Sequence, residues 1–214
     1  MAARRKFVAG AAWIAVACLL SGAPAAAQDL ARGEALFELC GQCHGAQGQG
    51  NRLYSAPAIA GLDAWYVQTQ LEKFKSGARG GHPGDIQGLR MRPMARTLKT
   101  EADIQAVAAY VGKLPAADPA PVLTGGDPAR GETLYRPCTA CHGAKAEGNK
   151  NLFGPPLHSN DWYQLAQLQK FQSGVRGTGP QDSTGAMMRP MAMTLKDEQA
   201  MLDVIAYIAT LDSQ

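Results

Sequence analysis

The chain has 214 residues, 46% of them apolar and 18% charged, with 24 glycines and five cysteines, which excludes a disordered or fibrous protein and a disulfide scaffold. Its formal charge of +3 comes from Arg4, Arg5 and Lys6, because from Gln28 onward 18 basic side chains balance 18 acidic ones. A neutral chain gives no electrostatic reason to expect a nucleic-acid partner.

Arg4-Arg5-Lys6 precede an apolar run from Phe7 to Leu20, which Ser21-Gly22-Ala23-Pro24 breaks before Ala25-Ala26-Ala27. A basic start, an apolar centre too short to span a bilayer and small residues at the end predict a secretory signal peptide over residues 1–27. Cys18 lies inside the apolar run and is read as a discarded hydrophobe rather than a lipidation site. No later stretch reaches 18 apolar residues, so no stable membrane insertion is expected of the exported chain.

The exported chain opens with a short helix capped by Asp29 and running into Cys40-Gly41-Gln42-Cys43-His44. A second helix is predicted from near Asp63, with Tyr66, Gln70 and Phe74 on one face. The glycine-rich stretch from Gly77 to Gly88 reads as loop, and Met91-Arg92-Pro93-Met94 as a strap stiffened by its proline. A third helix is predicted from Thr100, with Asp103 in capping-box position and Ile104, Val107, Ala108 and Val111 spaced for burial. Residues 115–126 hold Pro115, Pro119, Pro121, Gly125 and Gly126 and almost no charge, the composition of a stiff, extended linker. Asp127-Pro128 then begins a new short helix leading into Cys138-Thr139-Ala140-Cys141-His142. Another helix is expected from Asp161, with Tyr163, Gln167 and Phe171 aligned, followed by the strap Met188-Arg189-Pro190-Met191. The last helix is expected to bury Leu202, Ile205, Ala206 and Ala209.

These elements are one unit written twice. Ala31-Arg32-Gly33-Glu34 and Ala129-Arg130-Gly131-Glu132 are 98 residues apart, as are the two cysteine motifs. One residue drops out before Trp65, and Trp65-Tyr66, Lys73-Phe74, Ser76-Gly77 and Met91-Arg92-Pro93-Met94-Ala95 then recur 97 residues later. The expected fold is all-α, in two tandem domains spanning 28–114 and 127–214. Each is small enough for its own core to be marginal, so another group is expected to complete it.

Cys-x-x-Cys-His is the attachment signature of c-type haem: two thiols on one helical turn reach the porphyrin vinyl groups, and the adjacent imidazole reaches the iron. Cys40 and Cys43 with His44, and Cys138 and Cys141 with His142, therefore predict two covalent haems. A redox disulfide or a zinc site built from all four cysteines explains neither histidine. For the opposite face of each iron, His82 and His158 are not repeated and read as surface loop residues. The repeated methionines follow the proximal histidine by about fifty residues, enough chain to return on the far side. The repeat alone does not choose between Met91 and Met94, or between Met188 and Met191.

Two Cys-x-x-Cys-His domains in tandem, each with a late methionine and all behind a signal peptide, resemble the cytochrome c4 group of dihaem cytochromes over essentially all of Gln28–Gln214. The resemblance implies class I cytochrome c-like domains. Their axial methionine follows proline, which points to Met94 and Met191. It also implies that Pro57 and Pro155 lend their carbonyls to His44 and His142, with Pro156 as a second option. The glycine-rich stretch before each strap departs from that pattern and is similar to haem c domains of terminal oxidases. Arg79, Arg92, Arg176 and Arg189 are paired between copies, either to neutralise haem propionates or as solvated cations; Arg92 and Arg189 flank the methionines.

The activity implied is that of a soluble periplasmic carrier. It moves single electrons between redox proteins such as a quinol-oxidising complex and a terminal oxidase or dehydrogenase. The alternatives are a haem subunit fixed to a dehydrogenase or oxidase complex, a dihaem peroxidase with one openable haem, or a gas sensor. The same methionine motif in both copies speaks against the peroxidase.

Overall fold

Helix-forming signals recur along both halves of the chain, and nine α-helices form among the described residues. The computed structural model describes residues 25–211, with side chains from Asp29 onward. Most of the expected signal peptide therefore lies outside the described residues. Among those described there is no strand, only isolated bridges at Asn51–Ala56 and Asn149–Gly154. No described helix is long and apolar enough to cross a membrane.

The first half comprises α1 (Ala25–His44), α2 (Ala64–Ser76), α3 (Ile86–Thr97) and α4 (Glu101–Lys113). The second comprises α5 (Pro128–Tyr135), a 3-10 turn at Arg136–Cys138, the single turn α6 (Thr139–His142), α7 (Asp161–Gln172), α8 (Ser183–Met193) and α9 (Glu198–Ile208). Helix α1 packs on α4 and α5 on α9, while α2 leans on α3 and α4 and α7 on α8 and α9. The close crossings depend on glycine. A Cβ on Gly33 would collide with the Ala106 carbonyl of α4, and one on Gly131 with the Asp203 carbonyl of α9. Next to each glycine an arginine closes the crossing: Arg32 Nε donates to Asp103 at 2.9 Å, and Arg130 Nε to Asp203 at 2.8 Å.

Apolar faces do the rest. Phe37, Val67, Leu71, Phe74, Ile104, Val107 and Val111 form the first core, and Tyr135, Leu195, Met201, Val204 and Ile208 the second. Phe37 and Tyr110 meet at 5.3 Å between ring centres, and their counterparts Tyr135 and Tyr207 at 5.6 Å.

The structure corrects four local expectations. Asp29 is not a cap, because alanine-rich residues 25–28 carry α1 past it toward the N-terminus. The glycine-rich loop ends at Asp85 rather than Gly88, and the methionine strap is a helix with Pro93 inside it. The Asp85 carboxylate caps the Gly88 amide at 3.1 Å, and that local bond starts a helix that glycine and proline disfavour. Helix α9 buries Met201, Val204, Ile205 and Ile208, one position off the expected face at all but Ile205. The 97-residue offset holds to the end of the chain and aligns those four with Ile104, Val107, Ala108 and Val111. Helix α7 does begin at Asp161, whose carboxylate accepts from the Val122 and Leu123 amides at 2.6 and 2.5 Å. Those two bonds, with Ala117 N–H to the Ala60 carbonyl, tack the irregular segment 115–124 onto both halves.

Candidate haem sites

Cys40, Cys43 and His44 occupy the last turn of α1, where positions three and four residues apart share a face. In the second half Pro137, standing where the first half has Leu39, breaks the approach into the 3-10 turn and α6. The outcome at the site is nevertheless the same. None of Cys40, Cys43, Cys138 and Cys141 is paired in a disulfide. Burial raises the pKa of the Cys40 and Cys138 thiols above the ordinary value.

His44 and His142 are each only 7% exposed. In each, Nδ1 lies 2.8 Å from a proline carbonyl, Pro57 for His44 and Pro155 for His142. A carbonyl can only accept, so Nδ1 carries the proton and Nε2 keeps its lone pair. Burial lowers both imidazole pKa values, and the proline hydrogen bond offsets this only in part, so both rings are neutral. A neutral imidazole with a free Nε2 is the form that ligates metal.

The loop after each histidine is shaped to bring that carbonyl into place. Gly50 and Gly148 donate their amides to the His44 and His142 carbonyls at 2.7 Å. Both glycines have a left-handed backbone, with φ of 87° and 88°. A Cβ there would run into the backbone at Ala58 or Pro156.

Met91 and Met94 lie on α3 and Met188 and Met191 on α8, all half-buried. Met91 packs against the first hydrophobic core. His82 is exposed, as expected, whereas His158 is half-buried with Nε2 2.9 Å from the Lys145 carbonyl. Arg92 has a buried Nε with no partner among the described residues, as do Arg79 and Arg176, whereas Arg189 Nε donates to the Phe171 carbonyl at 3.2 Å. Large apolar side chains stand in the open beside each motif, with Leu53 and Tyr54 in one half and Leu152 and Phe153 in the other.

Haem c fits this set of groups. Its vinyls answer the paired thiols, its iron the free Nε2, its propionates the orphaned arginine nitrogens, and its flat apolar face the exposed hydrophobes. No cluster of three or more His, Cys, Asp or Glu side chains among the described residues could hold a metal ion, so the cysteines do not converge on a zinc site.

The sequence reading missed the polar seam between the halves. Arg79 donates to Tyr163 Oη at 2.6 Å and Gln167 at 3.1 Å, and Arg176 reaches Gln70 at 3.2 Å. Lys73 pairs with Asp182 at 2.5 Å and Lys170 with Asp85 at 2.6 Å. Each of these residues recurs at the 97-residue offset, but recurrence does not reveal that partners come from opposite halves.

The cytochrome c family profile matches residues 30–115 and again 128–212. The chain belongs to the cytochrome c family. This cytochrome is 32% identical over 180 residues to a thiosulfate dehydrogenase electron acceptor of Stutzerimonas stutzeri, covering 79% of the chain and 78% of that relative. It is 30% identical over 195 residues to cytochrome c4 of Azotobacter vinelandii, covering 84% and 88%. The solved structure of reduced recombinant cytochrome c4 from Pseudomonas stutzeri matches it with a TM-score of 0.67 at 28% identity, over 86% of this chain and 98% of that one. The cytochrome is thus a c4-like dihaem electron-transfer protein that carries covalent haem c in each domain.

Proposed function

We propose that the chain is a periplasmic carrier that takes single electrons from a dehydrogenase or quinol-oxidising complex and delivers them to a terminal oxidase. The observation that carries this reading is the matched pair of buried histidines, each protonated at Nδ1 by its bond to Pro57 or Pro155. When bound, each haem supplies an iron that cycles between Fe(III) and Fe(II).

The protein's own residues do the remainder. Cys40, Cys43, Cys138 and Cys141 tether the porphyrins through thioethers, so the cofactor survives repeated encounters. His44 and His142 bind through Nε2, held in one tautomer and one ring orientation by the proline carbonyls. Met94 and Met191 would supply the second ligands, and their thioethers would favour the reduced iron. The packing of Met91 into the core supports Met94 as the free ligand. Arg79, Arg92 and Arg176 compensate propionate charge with their unpartnered nitrogens.

Docking on a dehydrogenase as a subunit is the second reading, favoured by the likeness to a thiosulfate dehydrogenase electron acceptor. Potentiometric titration of the visible spectrum tests the proposal. Two one-electron steps are expected, with a far-red Met–Fe(III) band from both haems that peroxide leaves unchanged and a reduced spectrum that CO leaves unchanged. Met94→Ala should remove about half of that band and Met91→Ala should spare it, so the reverse would overturn the ligand assignment. Elution of the purified protein at the size of a single chain separates the free carrier from the subunit.

A further inference from the structure

Each methionine-bearing helix is capped by an aspartate that is buried at the seam between the halves. Asp85 Oδ1 accepts from Gly88 N–H in the first turn of α3, and Asp182 Oδ1 from Gly185 N–H in the first turn of α8, both at 3.1 Å. The same two oxygens receive a lysine from the other half. Lys73 on α2 reaches Asp182 at 2.5 Å and also bonds Thr184, while Lys170 on α7 reaches Asp85 at 2.6 Å and Gln87 at 2.8 Å. Thr184 and Gln87 are equivalent second residues of their helices. Lysine side chains are 12% and 14% exposed and the carboxylates 1% and 3%, so the pairs are largely withdrawn from water. Asp182 Oδ2 is buried with no hydrogen-bond partner among the described residues.

We propose that Lys73 and Lys170 are positioning residues that act in trans: each fixes the start of the helix presenting the axial methionine in the other domain. A buried carboxylate that loses its hydrogen-bonded cation is destabilised far more than an exposed one. The cap it forms would loosen with it, and the methionine two to three turns along the same helix would lose its fixed bearing. Helix α8 is the more dependent of the two, because Asp182 has one oxygen already unsatisfied. The two haem environments are thereby linked through their ligand helices. A disturbance of α2 in the first half is felt at the methionine of the second.

This inference rests on the reading that Met94 and Met191 are ligands. Paramagnetic NMR of the oxidised holoprotein resolves the bound-methionine methyl signals of the two haems, so a wild-type spectrum lacking them would sink the ligand reading itself. Given both signals, Lys73→Met should weaken or shift that of Met191 and leave that of Met94 in place. Amide exchange in the first turns of α8 should quicken on the order of tenfold, with α3 unaffected. Lys170→Met should give the mirror image, and Lys73→Arg should restore the signal by restoring the charge. Thr184→Val, which keeps the ion pair and removes one acceptor, should move the same signal less if Lys73→Met proves too unstable to purify. Unchanged signals, or equal losses in both halves, would overturn the proposal, since a purely adhesive lysine would affect both domains alike.

Discussion

Each imidazole donates Nδ1–H to a proline carbonyl at 2.8 Å, which leaves one nitrogen for the iron and makes the ring's direction a property of the backbone rather than of a rotamer. Charged side chains at the helix crossings are controlled in the same local way. Asp103 accepts first from the Thr100 amide and then from Arg32, each at 2.9 Å, and its pKa falls from the ordinary 3.8 to about 2. A carboxylate depressed in the folded state stabilises the fold above its unfolded pKa and loses that contribution as pH falls toward the folded value. Asp103→Asn should therefore lower the urea midpoint at pH 6, and the gap from wild type should narrow as pH falls below about 4 and close only below the folded value of about 2. A gap that persists in acid would show that packing, and not ionisation, is what Asp103 provides.

At the scale of elements, the α1–α4 and α5–α9 crossings are set by what Gly33 and Gly131 lack. Alanine at either place gains up to about 1 kcal/mol of helix propensity. Its Cβ, however, meets a backbone carbonyl that cannot rotate away. Overpacking of this kind costs about 1–3 kcal/mol, so the collision wins. Gly33→Ala and Gly131→Ala should each lower the thermal midpoint of the holoprotein, and an unchanged or higher value would mean the crossing can widen freely. Helices α3 and α8 show the opposite balance. An internal proline and a glycine in the first turn argue against helix, yet one carboxylate on a backbone amide at 3.1 Å starts each of them.

For the whole molecule, the halves are joined mainly by hydrogen bonds and ion pairs rather than by a shared apolar core: the two hydrophobic clusters contain no residue in common. Exposed ion pairs such as Arg130–Asp127, at 57% and 41% exposure, weaken with salt. The Lys73–Asp182 and Lys170–Asp85 pairs are shielded from water and should not. The radius of gyration from small-angle scattering should therefore stay constant between 0.05 and 1 M NaCl, values spanning Debye lengths of roughly 14 to 3 Å. Expansion at high salt would mean that solvent reaches the seam.

Haem attachment, the duplication and the starts of α2, α4, α5 and α7 were written in neighbouring residues. Cys-x-x-Cys-His is complete within one turn, a capping box needs four residues, and a repeat declares itself by its own recurrence. What lay beyond the sequence has one common cause, that its partners are far apart along the chain. Asp161 marked the start of α7, but nothing near it in the chain showed that the linker amides would take its carboxylate. Lys73 and Lys170 showed in the sequence only as a repeated pair, and it is the docking of two folded halves that puts each against the other half's aspartate. Short-range geometry is dictated by covalent spacing, whereas which buried charge meets which is decided by the packing of finished domains.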